Sequence, residues 1–252
     1  RIALPGTRYP TAQARIGFFE QAQERIAAIP GVESVGAISG IFLTDTPRSA
    51  GFTIEGRERT PDIANTETPI DAVTPTYFAT MGIALRSGRF FTAQDNGDAP
   101  PVVIINEAMA LRYWPNEDPL GKRIKYGQET SQAPWMTIVG VVGDMRRTGF
   151  DRPVRYETFL PHAQQSIGGM TLVVRTARAP LALTNSVRAQ LRAMDPEQPV
   201  YEIASMDQLL SDRIAQRRFS MVLLGAFAAL ALLLGIIGVY GVTSYLVAQS
   251  TR

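Results

Sequence analysis

TAQARIGFFEQAQERIAAIPGVESVGAIS, residues 11–39, carries two hydrophobic periods in one run. Ile16, Phe19, Ala22, Ile26 and Ile29 recur every three or four residues, the spacing that lines one face of an α-helix. Pro30-Gly31 stops that helix. Val32–Ser39 (VESVGAIS) then alternates as a strand does. A short extended piece, Ile2–Pro5, comes before the helix. The order is strand, helix, strand.

The same order returns further on. Met170–Arg175 (MTLVVR) reads as a strand. Leu183, Val187, Leu191 and Met194 mark a second amphipathic helix, ended by Asp195-Pro196, and Val200–Ile203 reads as a short strand after it. Between the copies, about Ala50 to Gln165, strands dominate. Ile70–Val73 is extended, and Thr74-Pro75 starts a one-turn helix closed by Gly82. Val102–Ile105 is β-branched, and Asn106 caps a short helix to Trp114 that Pro115 ends. Trp135–Val142 (WMTIVGVV) is the strongest strand signal, and Tyr156–Leu160 is another. These patterns predict an α+β fold: two strand-helix-strand units with an inserted mixed α/β subdomain.

Composition narrows the function. With 252 residues, 45% apolar and 19% charged, the chain buries a core and is not a disordered polyelectrolyte. Basic and acidic residues number 25 and 23, too even for a nucleic-acid partner. The absence of cysteine excludes disulfides and a thiol nucleophile. The chain starts at Arg1 and no signal peptide follows, as expected for a piece of a longer protein.

Catalytic signatures are missing. The single histidine, His162, follows Pro161 at a strand end and reads as a surface residue. It leaves little room for a triad or a His-rich metal site. Asn116–Arg123 (NEDPLGKR) lacks the first glycine and final hydroxyl of a phosphate loop. Gly140–Gly143 lies in and at the end of a strand, so it is no dinucleotide fingerprint. Gly36–Gly40 (GAISG) misplaces the serine of a nucleophile elbow. Asp95, Asn96 and Asp98 read as solvated turn residues, since their spacing does not continue as a calcium loop. Asp144, Arg146, Arg147, Asp151 and Arg152 read as a solvated loop or a partner contact. The expectation is a non-enzymatic chain with no cofactor or metal.

From Phe219 to Thr251 there is no Asp, Glu, Lys or Arg, and Met221–Val242 holds only apolar residues, glycines and Tyr240. A helix over Met221–Val242 would be about 33 Å long, enough to cross a hydrocarbon layer of about 30 Å. Gly225, Ala228, Ala231, Gly235 and Gly238 would form a stripe of small residues on that helix, a surface that packs on other membrane helices. Ser205 and Gln208 have the form of a capping box, so a helix is expected to start at Met206. It would run unbroken into the bilayer as a stalk, with Arg213, Arg217 and Arg218 near the headgroups.

Four runs, taken together, are similar to a known family: Val73–Phe91 (VTPTYFATMGIALRSGRFF), Val102–Ile124 (VVIINEAMALRYWPNEDPLGKRI), Trp135–Arg146 (WMTIVGVVGDMR) and Gln216–Tyr245. They resemble the extracytoplasmic core and following membrane helix of MacB-like, FtsX-like ABC transporter permeases, most of all the large orphan permeases common in acidobacteria. The resemblance implies a porter-like part of two strand-helix-strand units (1–50 and 166–212), an inserted subdomain (51–165) and a stalk with a single transmembrane helix (213–252). It implies a bacterial inner-membrane protein with its soluble domain in the periplasm. The partners implied are a cytoplasmic ABC ATPase subunit, a second copy or paired permease half, a periplasmic adaptor or substrate, and the lipid bilayer, with no nucleic acid. Such permeases transmit ATP-driven motion to the periplasm and carry no catalytic residues here. The arginines before the apolar run would, by the positive-inside rule, favour the opposite orientation. A membrane-tethered ligand sensor is the alternative reading.

Overall fold

The computed structural model describes residues 1–40, 48–58, 67–145, 153–177 and 179–211 and, within 223–237, all but 226, 229 and 233. The chain divides into two compact units, Arg1–Ile203 and Ala204–Arg252.

In the first unit β1 (Ile2–Ala3), α1 (Ala12–Ala27) and β2 (Val32–Ile38) come first. Next are β3 (Ser49–Ile54), β4 (Glu67–Val73), α2 (Tyr77–Met81), β5 (Leu85–Gly88), β6 (Val102–Asn106) and α3 (Glu107–Tyr113). Then follow β7 (Arg123–Tyr126), β8 (Met136–Val142), β9 (Thr158–Pro161) and β10 (Gly169–Thr176). A 3-10 turn (Pro180–Leu183) leads into α4 (Thr184–Met194).

The two strand-helix-strand copies interleave. β10 lies antiparallel between β1 and β2, and Val200 bridges Ile2 on the outer side of β1. The spatial order is therefore Val200, β1, β10, β2, the split arrangement of two interlocked βαβ units. α1 and α4 pack together against this sheet. Their stripes, Phe18, Phe19, Ala22 and Ile26 with Leu191, close over Val35, Ala37 and Met170. Phe19 and Ile26 are fully buried, each worth about 1.5–3 kcal/mol relative to exposure. Thr11 caps α1 by accepting a hydrogen bond from Ala14 N at 3.1 Å, which satisfies an amide the first turn leaves open.

The inserted strands close into a barrel. β4 pairs with β3, β3 with β7, β7 with β8, β8 with β6, β6 with β9, and β9 runs parallel back to β4. Closure removes the free edges that such short strands would otherwise expose. Phe52, Ile54, Val103, Ile105, Ile124, Ile138 and Leu160 form one core with Met109, Tyr113 and Trp114 of and beside α3. The alternating residues of β6, Val102 and Ile104, face a different core, shared with Ile38 of β2, Val73 of β4, and Tyr77 and Phe78 of α2. Period-two alternation thus makes one strand serve both cores. Asn106 caps α3, accepting from Met109 N, and Gly82 closes α2 with φ 71, a conformation that glycine adopts without penalty.

Several expectations are corrected. β3, β5 and β7 have no counterpart in the pattern reading: β3 and β5 carry glycine and do not alternate, and the alternation of β7 (RIKY) lasts only four residues. Thr74 does not cap α2, whose preceding residue is Thr76; the Thr74 hydroxyl accepts instead from Ala37 N at 2.8 Å. Val200–Ile203 is a single bridge rather than a strand, since Glu202 has φ 54 and turns the chain away.

In the second unit residues 206–211 are helical. Ser205 Oγ accepts from Gln208 N at 3.2 Å and Gln208 Oε1 from Ser205 N at 3.1 Å, the reciprocal bonding of a capping box. The described residues within 223–237 are helical and exposed, and among the described residues no helix is long and apolar enough to cross a membrane.

Candidate functional site

The two ends of the first unit meet at one sheet edge. Arg1 N donates to Tyr201 O at 2.7 Å, and Tyr201 N donates to Arg1 O at 3.2 Å. The Arg1 guanidinium lies 3.5 Å from the Glu202 carboxylate. An antiparallel pair that exchanges both bonds fixes two backbone segments side by side.

Next to this edge a polar network holds the turn after β1 to the end of α4. Arg8 Nη1 donates to both oxygens of Asp195, at 2.6 and 2.8 Å, and Arg8 Nη2 also pairs with Glu197. The Tyr9 hydroxyl donates to Asp195 at 2.9 Å, and Gln198 Nε2 donates to Ala3 O at 3.0 Å. The Arg8 hydrogen bond holds the Asp195 carboxyl below its ordinary range, against the opposing effect of burial. Burial, helped by the bond to Asp195, pushes the Tyr9 phenol up to about 12. Charge-assisted bonds of this kind stay formed across neutral pH. Asp195 reads in the sequence only as a helix stop, and Arg8 and Tyr9 carry no signal at all.

Among the described residues no group of three His, Cys, Asp or Glu could hold a metal ion. His162 is not a surface residue: it is 3% exposed and meets Phe19 edge-to-face at 5.3 Å. Its burial follows from its position at the end of β9, where its N–H donates to Val73 O at 2.9 Å beneath α1. Neither ring nitrogen makes a hydrogen bond of good geometry. Burial drives its pKa down to about 4; the Gln165 backbone offsets part of this, and the Arg15 charge adds to it. Asp95, expected to be solvated, is buried and accepts from Arg89 at 2.7 and 2.8 Å and from Thr92 N at 2.8 Å. It closes its own turn, because a buried carboxylate needs such donors. Asp144 remains exposed and accepts from Asn106 Nδ2 and Ala108 N at the start of α3.

Of the small-residue stripe, Gly225, Ala228, Ala231 and Gly235 are helical and exposed. Gly238, the stalk arginines Arg213, Arg217 and Arg218, and the loop residues Arg146, Arg147, Asp151 and Arg152 lie outside the described residues. Among the described residues within 223–237, Leu223, Leu224, Phe227, Leu230, Leu232, Leu234, Ile236 and Ile237 are 46–69% exposed, an apolar surface of the kind that seeks lipid or a partner.

The family model for the MacB-like periplasmic core domain matches residues 4–194. The chain belongs to this family. Over its whole length this periplasmic core domain is 24% identical to the macrolide export ATP-binding/permease protein MacB of Azoarcus sp. strain BH72, covering 38% of that protein. It is 22% identical, over 83% of its length, to the protein of the same name from Mannheimia succiniciproducens, covering 32% of it. The chain thus spans about a third of the length of these relatives. The fold is similar to the periplasmic region of MacB from Actinobacillus actinomycetemcomitans, with a TM-score of 0.51 at 17% identity, covering 79% of this chain and 81% of that one. It is also similar to the extracellular domain of the noncanonic ABC-type transporter YknZ from Gram-positive bacteria, with a TM-score of 0.50 at 16% identity over 74% and 88% of the two chains. The porter-like mixed α/β architecture is that of the MacB periplasmic region.

Proposed function

We propose that this MacB-like periplasmic core domain, with the membrane helix that follows it, belongs to an ABC-type export permease that carries ATP-driven motion from the cytoplasm to the periplasm. The observation that carries this reading is the pairing of Arg1 with Tyr201. A domain set between two membrane helices is served by incoming and outgoing segments held side by side at one edge, as Arg1 and Tyr201 are here. The charge-free run from Phe219 to Thr251 and the exposed apolar residues described within 223–237 support a membrane span.

On this reading the domain is non-catalytic, and hydrolysis resides in a separate cytoplasmic ATPase. The porter-like subdomain comprises 1–50 and 166–212, the inserted one 51–165, and residues 213–252 form the stalk and helix. Arg213, Arg217 and Arg218 sit at the headgroups, and the stripe from Gly225 to Gly238 packs on a neighbouring helix or a second copy. The protein lies in the inner membrane with the core domain outside the cytoplasm, where an adaptor or a substrate meets it.

Residues 1–252 hold no cysteine, so thiols introduced here report orientation once any cysteine elsewhere in the full-length protein is replaced. In the full-length protein, an impermeant maleimide should label Asp98→Cys in intact cells and spare Ser250→Cys. Labelling of Ser250→Cys alone would overturn the orientation and favour an inward-facing sensor.

A further inference from the structure

The split sheet and the barrel meet where β2 passes β4, and the strand pairing there is minimal: Ile38 opposite Val73. A connection this short would leave a loose joint if nothing else were present. Side chains and flanking backbone complete it. Thr74 Oγ1 accepts from Ala37 N at 2.8 Å, while Thr74 N donates to Ala37 O at 3.0 Å. Ser39 N donates to Ala72 O at 2.8 Å, and Ser39 Oγ accepts from Ala72 N at 2.9 Å. Thr76 Oγ1 donates to Val35 O at 2.6 Å.

The backbones also touch. A Cβ built on Gly36 would stand 2.6 Å from Tyr77 Cα, so α2 lies directly on β2 where only glycine leaves room. Thr74 is 3% exposed and Gly36 sits among buried neighbours. Without the Thr74 hydroxyl, the buried Ala37 N–H would have no partner, a far larger loss than that of a solvated bond. The core around Tyr77 and Phe78 draws residues from β2, β4, β6 and β9 alike.

We infer that this crossing is a weld: the split sheet and the barrel move as one rigid body, with Thr74 and Ser39 as the positioning residues that hold it. The mechanical consequence rests on the transmission reading above, since a displacement arriving at the Arg1–Tyr201 edge reaches the barrel undiminished only through such a joint. The weld itself is independent of that reading.

Hydrogen exchange on the full 252-residue chain in detergent micelles tests it, with β10 reporting the split sheet and β6 the barrel. In the parent chain the two strands should lose protection together as urea is added, with protection factors within about threefold of each other. Thr74→Val, which keeps the volume and removes the hydroxyl, should separate them by about tenfold or more. Thr74→Ser should bring them back together. Should Thr74→Val fail to fold, Ser39→Ala gives the milder break and should separate the strands in the same sense. Independent opening of β6 and β10 in the parent chain overturns the weld, as does joint opening that persists in Thr74→Val or, in its place, Ser39→Ala. None of these readouts involves ATP or transport, so a failed weld leaves the transmission reading standing, and the reverse.

Discussion

His162 turns a buried position into a measurable pH dependence. Its imidazole is 3% exposed with its pKa pushed from 6.5 to about 4, chiefly by burial. The folded state therefore favours the neutral ring, while the unfolded chain takes up a proton below pH 6.5. Stability from this group is complete above pH 6.5, falls as pH drops toward 4, and is then constant. The full loss amounts to about 3 kcal/mol, of which about 2 kcal/mol is gone by pH 5. Urea unfolding of the Arg1–Ile203 unit at pH 7.5 and 5.0, for the parent and His162→Leu, isolates this effect, because carboxylates common to both cancel in the difference. The variant should lose about 2 kcal/mol less than the parent over that interval. As the chain has one histidine, its proton resonance is unambiguous and should not titrate between pH 8 and 5 in the folded protein. A midpoint near 6.5, or equal pH dependence in parent and variant, would refute the reasoning.

Residues 1–212 expressed without the apolar tail should form a mainly monomeric domain that unfolds in one transition; a product that aggregates with no cooperative melt would count against independent folding. Asp95→Asn removes the negative charge and replaces one of the two oxygens that accept from Arg89 and Thr92 with an NH2 donor, and should destabilise the domain by about 1–3 kcal/mol in chemical denaturation. An unchanged unfolding midpoint would show that the turn holds without its carboxylate. Ala215→Pro, worth about 3 kcal/mol in a helix interior, and a two-glycine insertion after Gln216 should each uncouple transport from ATP hydrolysis while the protein still inserts and the core domain still folds. Undiminished transport in both would dispose of a stiff stalk, as would spin-label distances showing a bend at the membrane surface.

What could be read from the sequence was whatever rests on neighbours in the chain. The face of α1 through Phe19, Ala22 and Ile26, the cap at Asn106, the stop at Gly82 and the capping box at Ser205 all depend on residues within a few positions of one another. The charge-free run from Phe219 to Thr251 is likewise a matter of local composition. Tertiary structure alone decided the rest. The barrel closes by the parallel pairing of β4 with β9, a contact that no periodicity specifies, and β5 and β7 become strands because β8 offers them an edge. Arg8 reaches Asp195 across a separation of 187 residues. His162 is buried because Phe19, from the other end of the domain, packs over it. Hydrophobic period reports which face of a segment wants cover; it does not report which distant segment supplies it, and that choice belongs to the packing of the whole core.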